Sequence, residues 1–186
     1  MGKTTLGKAL EKIDYKDGGA YLFISGSKQH DAVTVAILKD QTKRLGHNGI
    51  YVSLNKGYEF ISKNLRDSGC DPSHLYFIDC VTMSQRKVVD RDCCAFISNP
   101  SMLTSLSLAI TTAIKTRQFD FLFFDSINSL AVYNKLPTTK RFLHYLIGKL
   151  REAGVKGLLF CIKEEEIDGL IPIISHFCDA TIDLRS

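Results

Sequence analysis

No stretch of the chain approaches the roughly 18 consecutive apolar residues that a membrane-spanning helix needs. Met1-Gly-Lys-Thr-Thr is followed by no apolar run of signal-peptide length, and the Gly2 context lacks the Ser or Thr of an N-myristoylation signal at its fixed spacing. The expected location is therefore the cytoplasm, with no membrane partner. The six cysteines (70, 80, 93, 94, 161 and 178) never fall at Cys-x-x-Cys spacing, and several lie in apolar runs, so reduced, structural thiols are expected. Only the adjacent Cys93-Cys94 pair sits in a polar segment. Strong charge is also missing: 24 Lys+Arg against 20 Asp+Glu gives +4, with the basic residues scattered. That pattern, without basic–aromatic interleaving, gives no argument for a nucleic-acid partner. The five histidines (30, 47, 74, 144 and 176) are dispersed, with no Ser-His-Asp or metal-ligand spacing, and His144 falls among the apolar positions of a helix, where a half-buried role is expected. No internal repeat or low-complexity tract is visible.

What is present is a chain of 186 residues, 45% hydrophobic, long enough for one well-buried domain and short for two. Leu6, Leu10 and Ile13 at helical spacing predict an N-terminal helix ending before Asp17-Gly-Gly19, within a leading segment of residues 1–18. Apolar strands are expected at 21–25, 50–54, 75–79, 119–125, 157–162 and 180–184. Helices are expected between them: from Asp31 as N-cap through Leu45 to a stop at Gly46, over 57–68 ending at Gly69, over 101–117, over 138–153 and over 167–177. Residues 84–98 read as an irregular excursion, and Glu164-Glu-Glu166 as a solvated strand-to-helix turn. Strands alternating with helices give an α/β protein in three layers, a mainly parallel sheet of six or more strands covered on both faces.

The most telling absence is a phosphate loop. Phe119-Asp-Phe-Leu-Phe-Phe-Asp125-Ser126 is an apolar strand closed by Asp-Ser, the way one class of phosphate-loop ATPases presents a carboxylate to its reaction centre. Such a loop needs backbone N–H groups around the phosphates, a Lys on the β and γ groups and a Ser/Thr hydroxyl. Counting from Gly26, at the end of Tyr21-Leu-Phe-Ile-Ser25, the second Gly of the motif falls on Asp31, the Lys on Ala32 and the hydroxyl on Val33. Asp31 also puts a carboxylate at the helix end that would attract an anion. Gly2-Lys3-Thr4-Thr5 reproduces the tail of the motif but has no strand before it, and is read as a chance match.

The order of these segments, from Tyr21 to Leu184, resembles the KaiC-like group of RecA-superfamily ATPases. The stretches that carry the resemblance are Tyr21 to Gly26, Ile50-Tyr-Val-Ser-Leu54 with its helix and Gly69, Phe119 to Ser126, Lys149-Leu-Arg-Glu-Ala-Gly-Val155 leading into Gly157-Leu-Leu-Phe160, and Phe177-Cys-Asp-Ala-Thr-Ile-Asp-Leu184. The resemblance implies a RecA-like P-loop fold with Asp125 at the Walker-B position. It implies a second catalytic carboxylate at Asn55-Lys56, where none stands, and Glu59 lies too far along the helix. With the Lys, the hydroxyl, the second Gly and the acid all replaced, no ATPase activity and no resident cofactor, ATP with Mg²⁺ included, is expected.

The expected function is that of a non-catalytic module acting through contacts with a protein partner or a second copy, in regulation, signalling or assembly. The alternative is divergent nucleotide or anion binding at the remnant site, whose candidate residues are Gly26, Ser27, Lys28, Gln29, His30, Asp125 and Ser126. No catalytic or metal-binding residue is assigned. A side chain of Lys28 or His30 plugged against Asp125, or Asp-Ser capping the Ile127-Asn-Ser-Leu turn, is the structural role expected of this end of the strand.

Overall fold

The computed structural model describes residues 6, 7, 10, 11, 13–89, 91–163 and 169–184. Its strands are β1 (Ala20–Ser25), β2 (Gly49–Ser53), β3 (Leu75–Asp79), β4 (Cys94–Phe96), β5 (Phe121–Asp125), β6 (Lys156–Ile162) and β7 (Ala180–Asp183). They form one parallel sheet in the order β4-β3-β2-β5-β6-β1-β7. The four central strands read as unbroken apolar runs because helices cover both faces, leaving neither side for water. Side chains alternate between those faces. Thus Phe121 and Phe123 pack with α1 (His30–Lys39, prolonged by a π turn over Asp40–Arg44) and α2 (Tyr58–Asp67), through Val33, Ile37, Leu38, Ile61 and Leu65. Leu122 and Phe124 pack on the other side with α4 (Leu103–Thr116), α5 (Ile127–Tyr133), α6 (Leu136–Glu152) and α7 (Leu170–Phe177). A single turn, α3 (Thr82–Gln85), follows β3.

The α/β three-layer architecture is as the sequence predicts, with a seventh strand. The excursion over 84–98 is less irregular than expected: Cys94–Phe96 pairs with β3 as an edge strand, too short for alternation to reveal it. Where α5 stands the sequence predicts only a turn. Its inward residues, Ile127 and Leu130, are fully buried beside β6. The helix after β1 begins at His30, with Gln29 as its cap, so Asp31 stands in the first turn rather than at the N-cap. At the N-terminus, residues 6, 7, 10 and 11 are helical and Leu10 is buried against α1's face. Gly2 to Thr5, Glu164 to Glu166 and the first residues of the expected 167–177 helix lie outside the described residues. Among the described residues no helix is long and apolar enough to cross a membrane.

Candidate functional site

Alternation along β5 sets the geometry of the site. Phe121, Phe123 and Asp125 share one face, so the carboxylate emerges at the strand end beneath the start of α1. β2 lies alongside with Ser53 opposite Asp125, which brings Tyr51, two residues back on the same face, up to the same carboxylate. After β1, Gly26 continues extended (φ −76°, ψ 153°) and Ser27–Gln29 make a 3₁₀ turn, carrying His30 over the end of β5.

Asp125 is 5% exposed and both its oxygens are engaged. His30 Nε2 lies 2.7 Å from Oδ1, and the Tyr51 hydroxyl donates to Oδ2 at 2.5 Å. The other ring nitrogen, Nδ1, is 3.0 Å from Asp31 Oδ1, which also accepts from Lys56 Nζ at 2.7 Å. The imidazole stands edge-on to the Phe160 ring, 4.9 Å between centroids. Five side chains from α1, β2, β5 and the β2–α2 connection therefore form one chain: Tyr51, Asp125, His30, Asp31, Lys56.

The electrostatics follow the contacts. Burial by itself disfavours the His30 cation, but the bond to Asp125, the charge of Asp125 and the bond to Asp31 outweigh it, and its pKa stands above the usual 6.5. The Lys56 ammonium holds Asp31 below the ordinary carboxylate value. Burial, and then the neighbouring Asp125 charge, push the Tyr51 phenol well above 10, so it stays a donor throughout the physiological range.

Of the predicted residues, the fold brings together His30 and Asp125. Lys28 stays exposed in the 3₁₀ turn, so the plug is the histidine. In that turn the N–H of Gln29 donates to Gly26 O at 3.0 Å and the N–H of His30 to Ser27 O, so both point back into the turn rather than outward. No residue from Gly26 to Asp31 has a positive φ. Ser126 is fully buried, its Oγ 3.2 Å from Ser129 Oγ; it makes no side-chain bond to the N–H groups of α5, so the expected cap is absent. The Asp125–Ser126 peptide is cis.

Sequence reasoning missed Tyr51 and Lys56. A tyrosine at an inward position of an otherwise apolar strand was the available signal for the first. Glu59 is tied to Arg86 at 2.6 Å and Arg91 at 3.1 Å. A second buried carboxylate, Asp79 at the end of β3, accepts from the N–H groups of Tyr58, Val81 and Thr82 at 2.7, 2.8 and 2.9 Å and from the Thr82 hydroxyl at 2.5 Å, holding the starts of α2 and α3. His144 is exposed, its ring 4.8 Å from that of Phe177, because it lies one residue off the inward stripe of Leu143, Leu146, Ile147 and Leu150. The six cysteines form no disulfide, and burial pushes the Cys80 thiol up to about 12, the behaviour of an inert structural thiol.

A groove of about 1240 Å³ is lined by α1 and its π turn, and Gln29, Tyr51, Lys56 and Asp125 also line it. Among the described residues no group of three or more His, Cys, Asp or Glu is placed to hold a metal ion.

No curated protein matches the chain. A solved structure that does is the KaiC-like protein PH0186 from the hyperthermophilic archaeon Pyrococcus horikoshii OT3, with a TM-score of 0.65 and 16% identity over 90% of this chain and 72% of that one. Likeness at that identity establishes the fold, which is the RecA-like, KaiC-type α/β fold of P-loop NTPases. Residues 19–184, from the start of β1 to beyond β7, match the family of unknown function DUF7504, and the chain belongs to that family.

Proposed function

We propose that the chain is a non-catalytic RecA/KaiC-like module that acts through contact with a protein partner or a second copy, in regulation or assembly. The observation that carries this reading is the occupied carboxylate: His30 and Tyr51 take both oxygens of Asp125, where a working site would keep them for the reaction. Three features support it. Ala32 and Val33 stand at the Lys and hydroxyl positions. Asp31 holds the first turn of α1 with a carboxylate, where its dipole would otherwise favour a phosphate. The turn's N–H groups at Gln29 and His30 are spent internally. For the contact itself, Leu108, Val132, Tyr133 and Tyr145 are exposed on the α4–α6 side, whose three helices carry one carboxylate, Glu152. Exposed apolar and aromatic side chains are what interface cores are enriched in.

The test is titration calorimetry with ATP, ADP and GTP in the presence of Mg²⁺, alongside thermal melts. The expected result is no binding heat and an unmoved Tm. A nucleotide present at 100 times its Kd would instead stabilise the fold by about 2.7 kcal/mol.

The groove favours a second reading, divergent binding of a nucleotide or other anion, because Gln29, Lys56 and Asp125 all line it, with Lys28 exposed on the adjoining turn. That reading requires binding weakened by Lys28→Glu and Lys56→Glu. The first requires no binding in any of these proteins.

A further inference from the structure

A neutral imidazole has one N–H, whereas both ring nitrogens of His30 face carboxylate oxygens, at 2.7 and 3.0 Å. Ionised carboxylates only accept. The arrangement is therefore satisfied in full by the imidazolium alone. From this donor count we infer that His30 is the bolt of a proton-operated latch, which clamps the β1–α1 turn to the end of β5 when protonated and loosens it when neutral. The inference concerns regulation of the site described above and rests on the reading of that site as closed by its own side chains.

The groups facing the ring come from every element packed on it. Asp31 belongs to its own helix, Asp125 closes β5, and Lys56 reaches in from the β2–α2 connection through Asp31. Tyr51 on β2 contributes a hydroxyl to Asp125, and β6 offers the apolar edge of Phe160. Two carboxylates and one ammonium surround the imidazolium, so the cluster of four charged groups is neutral while His30 is protonated and carries one net negative charge once it is not.

Which contact is lost is decided by burial. Asp125 is 5% exposed and has no water to replace a lost donor, so the remaining proton stays on Nε2. Nδ1 then presents a lone pair to Asp31, 67% exposed and already served by Lys56, and the two acceptors separate. Asp31 turns away from the ring with Lys56, and the tie of α1 to Asp125 passes from a charge-assisted bond to a weaker one from a neutral imidazole that Asp31 no longer braces. The elevated pKa of the ring places this event on the alkaline side of the histidine range.

Two measurements on the full chain without added nucleotide test the latch: the ¹⁵N signals of the His30 ring from pH 5 to 9, and amide hydrogen exchange over residues 26–33. The expected result is a ring doubly protonated at pH 6 that titrates above 6.5 to an Nε2–H tautomer. Protection of the turn should fall across the same interval, by about tenfold for each unit of pKa elevation. In Asp31→Asn the midpoint should move down and the pH-dependent loss of protection should shrink, with Asp125 and Tyr51 untouched. A ring that stays a single neutral tautomer over the range overturns the latch. So does a midpoint unchanged by Asp31→Asn, or protection that ignores pH. Nucleotide binding found in calorimetry would overturn the closed-site reading while leaving these readouts in place, so the two failures are separable.

Discussion

His30 carries the charge balance of the strand-end crevice on a single ring, so its removal should be felt in stability and in pH dependence. A group whose folded pKa is raised contributes stability that is fully present below its unfolded value, near 6.5, and lost as pH rises through the folded value. Asp31, held low by Lys56, acts in the opposite direction: its contribution is present above about 3.8 and disappears as pH falls. Urea midpoints measured from pH 5 to 9 should decline on the alkaline side for the natural chain. In His30→Gln that decline should be missing, with a stability about 1–3 kcal/mol lower at pH 6 because Asp125 loses a charged donor. Tyr51→Phe removes the other donor and should likewise cost about 1–3 kcal/mol by the same measurement, with the alkaline decline retained. His30 and Asp125 were both legible in the sequence, one from the loop position and one from the closing Asp-Ser. Their partners were not. Tyr51 is 74 residues from Asp125, and its approach depends on β2 lying beside β5, an order that no local pattern reports.

At the scale of elements, strand ends are held by polar residues and strand starts by close packing. Asp79 satisfies three backbone N–H groups at the starts of α2 and α3 from a fully buried carboxylate. Asp79→Ala should therefore cost about 3 kcal/mol or more, read as a lowered denaturation midpoint, while a comparable change at exposed Asp71 should stay within about 1 kcal/mol. At the other end of β2, the Phe121 ring lies over Gly49 so closely that a Cβ there would stand 2.2 Å from its Cζ. Gly49→Ala should destabilise by about 1–3 kcal/mol through overpacking, and adding Phe121→Leu should give a double variant less damaged than the sum of the singles. Strands of four or more residues and helices of eight or more were readable, because burial on both faces forces unbroken apolar strands and burial on one face forces an apolar helical stripe. β4 and α5 were not, since three residues of an edge strand and seven of a helix buried over its first four carry too little pattern. The segment after Asp125 is buried on all sides as far as Leu130, which erases the periodicity a helix would show.

Across the whole molecule, two apolar layers share one sheet, and the residues that separate them alternate along the same strands. Leu122 and Phe124 belong to the layer beneath α4 to α7, and Phe121 and Phe123 to the layer beneath α1 and α2. Neither layer can lose its packing without exposing the backs of strands that the other still covers. We propose on this ground that the chain unfolds as one domain. Leu143→Ala in α6 and Ile37→Ala in α1, both fully buried and on opposite faces, should each cost about 2–5 kcal/mol. Both should shift the same single calorimetric transition, and circular dichroism and tyrosine fluorescence should report coincident midpoints in each variant. Their effects should also add, because the side chains sit on opposite sides of the sheet and share no cavity. If Ile37→Ala instead split the transition, with α1, α2 and the β1–α1 turn melting first while α6 kept its signal, the two layers would be separate cooperative units. The crevice latched by His30 would then belong to the weaker one.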